Sequence, residues 1–279
     1  MSERVKKIWA PTLKEMKQRG EKIAMLTAYD ASMARILDRA GIDAFLVGDS
    51  LGMVLMGEET TLQVTLEAII HHTRAVSRGT RRALIVADMP FLTYHAGVNV
   101  AVRNAGRIMS EGRANAVKIE GGRAIAETAQ RLVEAGIPVM GHLGLIPQAV
   151  NQLGGFRQQA KSASERERLM EDAKILEEAG VFSIVLESIP ADHARAVTAA
   201  LSIPTIGIGA GPYCDGQVLV SYDALGLTEE HAMPPFAKRY ADLTQVIQNA
   251  AKAYADEVKK GAFPALERTA AKSGSRNSG

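Results

Sequence analysis

Five side chains able to do chemistry stand at the ends of short apolar runs: Asp49 in AFLVGDS (44–50), Asp88 in LIVADMP (84–90), Glu120 in AVKIEGG (116–122), His142 in PVMGHLGL (138–145) and Glu187 in FSIVLES (182–188). A single acid after an apolar run is a turn residue, since Gly, Asp and Ser all close turns. Three successive runs ending on Asp49, Asp88 and Glu120 need another explanation. Carboxylates gathered at one place repel, and each raises the pKa of the next. A cation removes that cost. Oxygen donors without cysteine favour a hard dication, Mg²⁺ first and Mn²⁺ next. The competing explanation is that these acids cap helix N-termini, where the helix dipole favours negative charge.

Lys118 precedes Glu120 by two residues. Strand side chains alternate, so the two share a face and Ile119 takes the other. A buried ammonium needs a partner. Either Lys118 pairs structurally with Glu120, or it recognises a substrate carboxylate; the second is preferred because a metal would already occupy Glu120. Glu187, if not a ligand, is free to act as a general base; its structural alternative is a salt bridge to Lys118 or an arginine. His142 either donates a hydrogen bond to substrate or satisfies a carbonyl. The GIGAG string (207–211) lets backbone amides approach an anion, but a tight turn explains it equally well. His71, His72 and His193 fall in helical segments and are expected at the surface.

These residues need elements that bring them together. Further apolar runs occur at IAMLTAYD (23–30), PTIGIGAG (204–211) and QVLVSYDAL (217–225). Segments of helical spacing lie between them: 31–41 with Met33, Ile36, Leu37 and Ala40, then 123–136 and 164–180, each ending on glycine. Regular strand–helix alternation implies a parallel sheet with crossover helices. The near-continuous apolar strands are those of a sheet covered on both faces. About eight such units predict a closed (β/α)8 barrel, a TIM barrel, whose strand C-termini share one rim where active sites sit. An open doubly wound sheet is disfavoured, because the first strand–helix turn, TAYDAS, has no glycine. The eighth unit is weak, and LVSYDALGL reads equally as a loop. An N-terminal helix over 12–20 is expected to cover the barrel bottom. A long C-terminal helix is expected through Phe236, Tyr240, Leu243, Ile247, Ala250, Tyr254 and Val258. The organisation expected is one catalytic barrel domain, 1–263, and a disordered polar tail, 264–279.

Composition excludes several functions. The 279 residues carry 33 basic and 31 acidic side chains, a net charge of +2, which gives no reason for a nucleic-acid or anionic-membrane partner. Apolar runs are too short and interrupted to span a bilayer. One cysteine, Cys214, forms no internal disulfide and suits a reducing cytoplasm.

Taken together, MLTAYD, LVGDSLGM, VKIEGG, GHLGL, PQAVN and IPTIGIGAG followed by DGQVLV resemble the ketopantoate hydroxymethyltransferase family, from about Thr12 to about Phe263. The resemblance implies a barrel related to the phosphoenolpyruvate/pyruvate enzymes. It also implies transfer of a one-carbon unit from 5,10-methylenetetrahydrofolate to 3-methyl-2-oxobutanoate, through a metal-stabilised enolate, in pantothenate biosynthesis. On the matching positions it implies metal binding by Asp49, Asp88 and Glu120, one of them through a water. Substrate contacts are implied for Asp49, Ser50, Asp88 and Lys118, a proton acceptor at Glu187, and a further active-site histidine at His142. It implies a homo-oligomer, as large as a homodecamer. The sequence departs from the family pattern at Gln63, at TYHAGVNVAV after Pro90, and at the Met-Pro-Pro of EEHAMPPFAKRY, none of them a carried-over position. A C–C lyase of the same superfamily and a non-catalytic barrel are the alternatives. The lyase would be expected to carry a reactive cysteine at the mouth, for which Cys214 is poorly placed.

Overall fold

The structure, a computed structural model, describes residues 6–229 and 233–265. Eight parallel strands close into a barrel in chain order. They are β1 (Ile23–Thr27), β2 (Ala44–Val47), β3 (Leu84–Asp88), β4 (Ala116–Glu120), β5 (Val139–Gly144), β6 (Ser183–Glu187), β7 (Thr205–Ile208) and β8 (Gly216–Leu219). The described chain divides into two compact units, one within Met1–Ser221 and Pro234–Ala237, the other within Tyr222–Met233 and Lys238–Gly279. The barrel lies in the first. The tail expected from residue 264 lies, beyond Ala265, outside the described residues.

Helix α1 (Ala10–Gln18) begins two residues before the expected start and closes the N-terminal end of the barrel. Its Leu13 and Met16 join the inward-facing Met25, Leu46, Leu84, Val86, Met140 and Val185 in one apolar core. Lys17 Nζ staples it in place, reaching Ile203 O and Asp215 Oδ2, each at 3.0 Å. Around the barrel run α2 (Ala31–Arg39), the short α3 (Leu51–Val54), α4 (Leu66–Gly79), α5 (Val98–Ser110) and α6 (Ala126–Glu134). They are followed by the short α7 (Val150–Leu153), then α8 (Ala163–Glu178) and α9 (Ala191–Ala200). Outward strand residues such as Phe45, Ile85, Ile119 and Ile184 are buried too, which is why the strands read as unbroken apolar runs.

Several local expectations change. Helix α8 is capped by a reciprocal pair, Ser162 with Glu165, rather than starting at Ser164. The eighth unit is a real strand, β8, followed by α10 (Ser221–Leu225), so the loop reading of that segment fails. The C-terminal helix α11 is Leu243–Lys259, and Phe236 and Tyr240 precede it: Asp242 accepts from Gln245 N–H as the N-cap and fixes the start. His193 is buried rather than exposed, on the face of α9 that also buries Ala194 and Val197. His71 is exposed, and His72 is half-buried with Nδ1 2.7 Å from Tyr29 O.

Candidate active site

Strand register decides which side chains meet. Asp88 pairs with Lys118 across β3 and β4, Glu120 with His142 across β4 and β5, and Gly144 with Glu187 across β5 and β6. Paired residues of parallel strands point the same way. The inward rows Leu84–Val86–Asp88, Ala116–Lys118–Glu120 and Met140–His142 therefore run from the apolar core to a polar top layer. In β2 the inward row ends at Gly48, where an added Cβ would sit 2.9 Å from Ser50 Oγ and 3.3 Å from Asp88 Oδ2. That missing side chain leaves room for Asp88 and lets Asp49 follow it onto the rim.

The top layer is one buried network. Lys118 Nζ donates to Glu120 Oε1 at 3.1 Å and forms an ion pair with Asp88 Oδ1 at 3.0 Å. The backbone N–H of Asp49 donates to Asp88 Oδ2 at 3.0 Å. His142 bridges two acids, with Nδ1 3.1 Å from Glu120 Oε1 and Nε2 3.1 Å from Glu187 Oε2, the latter an ion pair without hydrogen-bond alignment. Of the two roles expected of His142, the carbonyl partner is not the one found: its ring meets Glu120 and Glu187, and its Nδ1 also lies 3.2 Å from Lys118 Nζ. Among the described residues the ion-pair partner of Glu187 is likewise His142, and neither Lys118 nor an arginine. The structural pairing of Lys118 with Glu120 is present, and Asp88 shares it. The side chain of Glu187 is 15% exposed and that of Glu120 1%, so Glu187 is the more open of the two acids.

Helix capping does not explain the acids. The N-caps nearest to them in sequence are Ser50 for α3, Gly97 for α5 and Gly122 for the short 3-10 turn 123–125 that leads into α6. Ser50 makes no capping bond; its Oγ lies 2.9 Å from the Tyr29 hydroxyl. The GIGAG string is a close-packed turn: a Cβ on Gly209 would lie 2.7 Å from the Phe236 ring. Cys214 is buried, and burial pushes its thiol pKa up, which removes it as a nucleophile.

The acids of this layer do not ionise alike. Burial, with Asp88 and Glu120 nearby, holds the Asp49 carboxyl well above the usual carboxylate range. Burial also raises Asp88, against the opposing pull of Lys118. Burial would raise Glu120 as well, but Lys118 and His142 outweigh it and bring it down to about 2. Burial and Lys118 would lower His142, yet the carboxylates of Glu120 and Glu187 push it up to about 9. Lys118 stays charged: burial opposes it, and Asp88, Glu120 and Asp49 prevail. With every acid ionised, the four carboxylates against Lys118 and His142 leave two negative charges in a buried layer.

Those two charges fit one dication of the oxygen-preferring kind. Asp49 and Asp88 are the acids left strained without it. Among the described residues, however, no three His, Cys, Asp or Glu side chains are already gathered into a cation cage. Glu120 is committed elsewhere, to Lys118, His142 and the backbone N–H of Gln148 at 3.1 Å.

Two residues of this network had no role assigned from sequence. Gln148, in the turn Pro147–Ala149 after β5, donates through Nε2 to Asp49 Oδ2 at 2.8 Å. Tyr94 donates its hydroxyl hydrogen to Gln148 Oε1 at 2.9 Å. Gln148 belongs to the PQAVN string, and Tyr94 to the departing segment TYHAGVNVAV. Both sit outside the strands, so no periodicity aims them at the site.

Residues 7–266 match the family model described as ketopantoate hydroxymethyltransferase. The 3-methyl-2-oxobutanoate hydroxymethyltransferase of Syntrophus aciditrophicus (strain SB) is 56% identical over 259 residues, 93% of this chain and 95% of that one. The protein of the same name from Moorella thermoacetica is 55% identical over 263 residues, covering 94% and 97% of the two chains. Among solved structures, 2,3-dimethylmalate lyase, a PEP mutase/isocitrate lyase superfamily member, superposes with a TM-score of 0.59 at 17% identity, covering 94% of this chain and 91% of that one. Phosphonopyruvate hydrolase gives 0.59 at 12% identity, with 92% of each chain covered. At such identity these two establish the shared barrel and nothing finer.

Proposed function

The chain belongs to the ketopantoate hydroxymethyltransferase family, and from that premise we propose how its rim performs the reaction. The protein is a hydroxymethyl transferase acting on 3-methyl-2-oxobutanoate, a step of pantothenate biosynthesis. The one-carbon donor is 5,10-methylenetetrahydrofolate. In balance, 3-methyl-2-oxobutanoate gives up its C3 hydrogen, takes up the one-carbon unit with the oxygen of a water, and leaves as 2-dehydropantoate beside tetrahydrofolate.

A dication, Mg²⁺ first, would be held by Asp49, Asp88 and Glu120, one of them through a water. When bound it supplies Lewis-acid stabilisation of negative charge on the keto oxygen. The observation that carries this reading is the burial of Asp49, Asp88 and Glu120 side by side at the barrel mouth, where burial and neighbouring acids hold Asp49 and Asp88 above the usual carboxylate range. The chain's own residues do the rest. Lys118 and Ser50 hold the substrate carboxylate. Glu187, the most exposed acid of the layer, takes the C3 proton. His142, held between Glu120 and Glu187, keeps that carboxylate turned toward the mouth.

Purified protein supplied with Mg²⁺, 5,10-methylenetetrahydrofolate and substrate tests the reading. Transfer should stop on chelation and return with added Mg²⁺. Full activity after complete chelation would remove the metal from the scheme, and C–C cleavage in place of transfer would favour the lyase alternative.

Homo-oligomerisation, up to a decamer, belongs to the same reading. Val246, Ile247, Tyr254 and Val258 stand exposed on α11, an apolar surface of the kind partners cover. Light scattering checks it, and a monomer at micromolar concentration would refute it. A cytoplasmic location fits the lone Cys214. Among the described residues no helix is long and apolar enough to cross a membrane.

A further inference from the structure

Gln148 is 4% exposed, and the bonds of its side chain fix which way the amide faces. Nε2 donates to Asp49 Oδ2 at 2.8 Å and to Met89 O at 3.0 Å, while Oε1 accepts from Tyr94 at 2.9 Å. Turned over, the amide would set its oxygen against two acceptors. Tyr94 is fixed in turn: its hydroxyl accepts from the backbone N–H of Glu120 at 3.1 Å, and its hydrogen has Glu120 O, at 3.2 Å, as a second and longer acceptor beside Gln148 Oε1. A directed chain of hydrogen bonds therefore runs from the Glu120 amide through Tyr94 and Gln148 to the Asp49 carboxylate. It joins the end of β4 to the rim after β2, which share no strand pairing. The Gln148 backbone adds a second tie, donating to Glu120 Oε2 at 3.1 Å.

We propose that Tyr94 and Gln148 are a positioning pair that fixes the Asp49 carboxylate against Glu120 in the geometry a dication needs. The proposal rests on the reading of Asp49 as a metal ligand. Carboxylate rotation about its last torsion is soft, so an acid without such a tether presents its oxygens over a broad range. Hydrogen-bond partners that orient a ligand usually matter about 10- to 100-fold in metal affinity. Neither residue contacts substrate in this scheme; both act through Asp49.

The test uses the full chain, stripped by chelation and titrated with Mn²⁺ alone, free ion being read by electron paramagnetic resonance. Gln148→Leu, close in size and without the amide, should raise the Mn²⁺ dissociation constant about 10- to 100-fold. Tyr94→Phe should raise it by a smaller factor, since the Gln148 amide remains but is no longer fixed. The double variant should lose less than the product of the two single losses, because Tyr94 reaches Asp49 through Gln148. Urea unfolding of the same samples separates folding from binding. Folded variants that bind Mn²⁺ like the wild type would overturn the proposal and leave the metal reading intact. Losses that multiply would overturn the pairing. A wild-type chain that binds no Mn²⁺ would overturn the metal reading and this proposal with it. If Gln148→Leu does not fold, Tyr94→Phe and Gln148→Met decide by the same affinity.

Discussion

Gly144→Ala probes how the base is held. Gly144 ends β5 opposite Glu187, with φ at +96°. An added methyl would fall inside the van der Waals radius of the Glu187 carbonyl oxygen and lie 2.9 Å from Ile189 Cγ2. That carbonyl also accepts from Leu145 N–H at 2.9 Å. Three costs follow. Left-handed backbone without glycine costs about 1–3 kcal/mol. Overpacking adds about 1–3 kcal/mol, and loss of the Leu145 hydrogen bond about 1 kcal/mol. The sum is about 3–7 kcal/mol, a large share of the stability of an ordinary domain.

Gly136→Ala is the control. Its φ is +83°, nothing lies within 4 Å of its added Cβ, and it precedes β5 at the end of the barrel away from the rim. It should cost the backbone strain alone, about 1–3 kcal/mol. The difference between the two variants, about 2–4 kcal/mol, is the close approach itself. Catalysis should separate them further. A carbonyl pushed aside by about 1 Å carries the Glu187 side chain with it, and such displacements cost about 10²-fold. Urea denaturation reads the stabilities. Proton NMR in deuterated water reads exchange of the C3 hydrogen of 3-methyl-2-oxobutanoate. Equal stabilities together with wild-type exchange in Gly144→Ala would refute the reasoning.

Other substitutions divide the network by role. Glu187→Gln keeps size and hydrogen bonding but removes the basic oxygen. It should bind Mg²⁺ and substrate normally and lose C3 exchange by about 10²–10⁴-fold; exchange at the wild-type rate would move the base elsewhere. Lys118→Ala leaves Asp88 without its cation and Glu120 with His142 alone in a buried site. It should destabilise the protein by about 3–5 kcal/mol, read by urea denaturation, and added Mg²⁺ should recover part of the loss; a fully stable variant would show that Lys118 is not the layer's counter-charge. His142 predicts a pH dependence in chelated protein. Its pKa is raised when folded, to about 9, so its contribution is full below about 6.5 and is lost as pH rises through about 9. Each pKa unit is worth about 1.4 kcal/mol, which puts the contribution on the order of 3 kcal/mol. Urea unfolding across that window should show the loss in wild type and not in His142→Asn; parallel curves would contradict it.

The sequence by itself determined the barrel and the rim acids. Both follow from local rules: apolar runs alternating with helical spacing give the parallel barrel, and strand pleating puts Lys118 and Glu120 on one face. Asp49, Asp88, Glu120, His142 and Glu187 could be gathered on one rim because every strand of such a barrel ends there. The same local rules misplaced the start of α11 and the exposure of His193, where a cap and a helix–barrel packing face prevailed. The tertiary structure alone decided who pairs with whom. Asp88 meets Lys118 because of the register between β3 and β4, which neither strand specifies alone. His142 bridges Glu120 and Glu187 because β5 lies between β4 and β6 in the closed order. Gln148 reaches Asp49 across 99 residues of chain, from a turn with no periodicity to aim it. Chain pattern fixes the period and face of a side chain within its element; its partner across the barrel depends on closure and packing, which many distant residues set together.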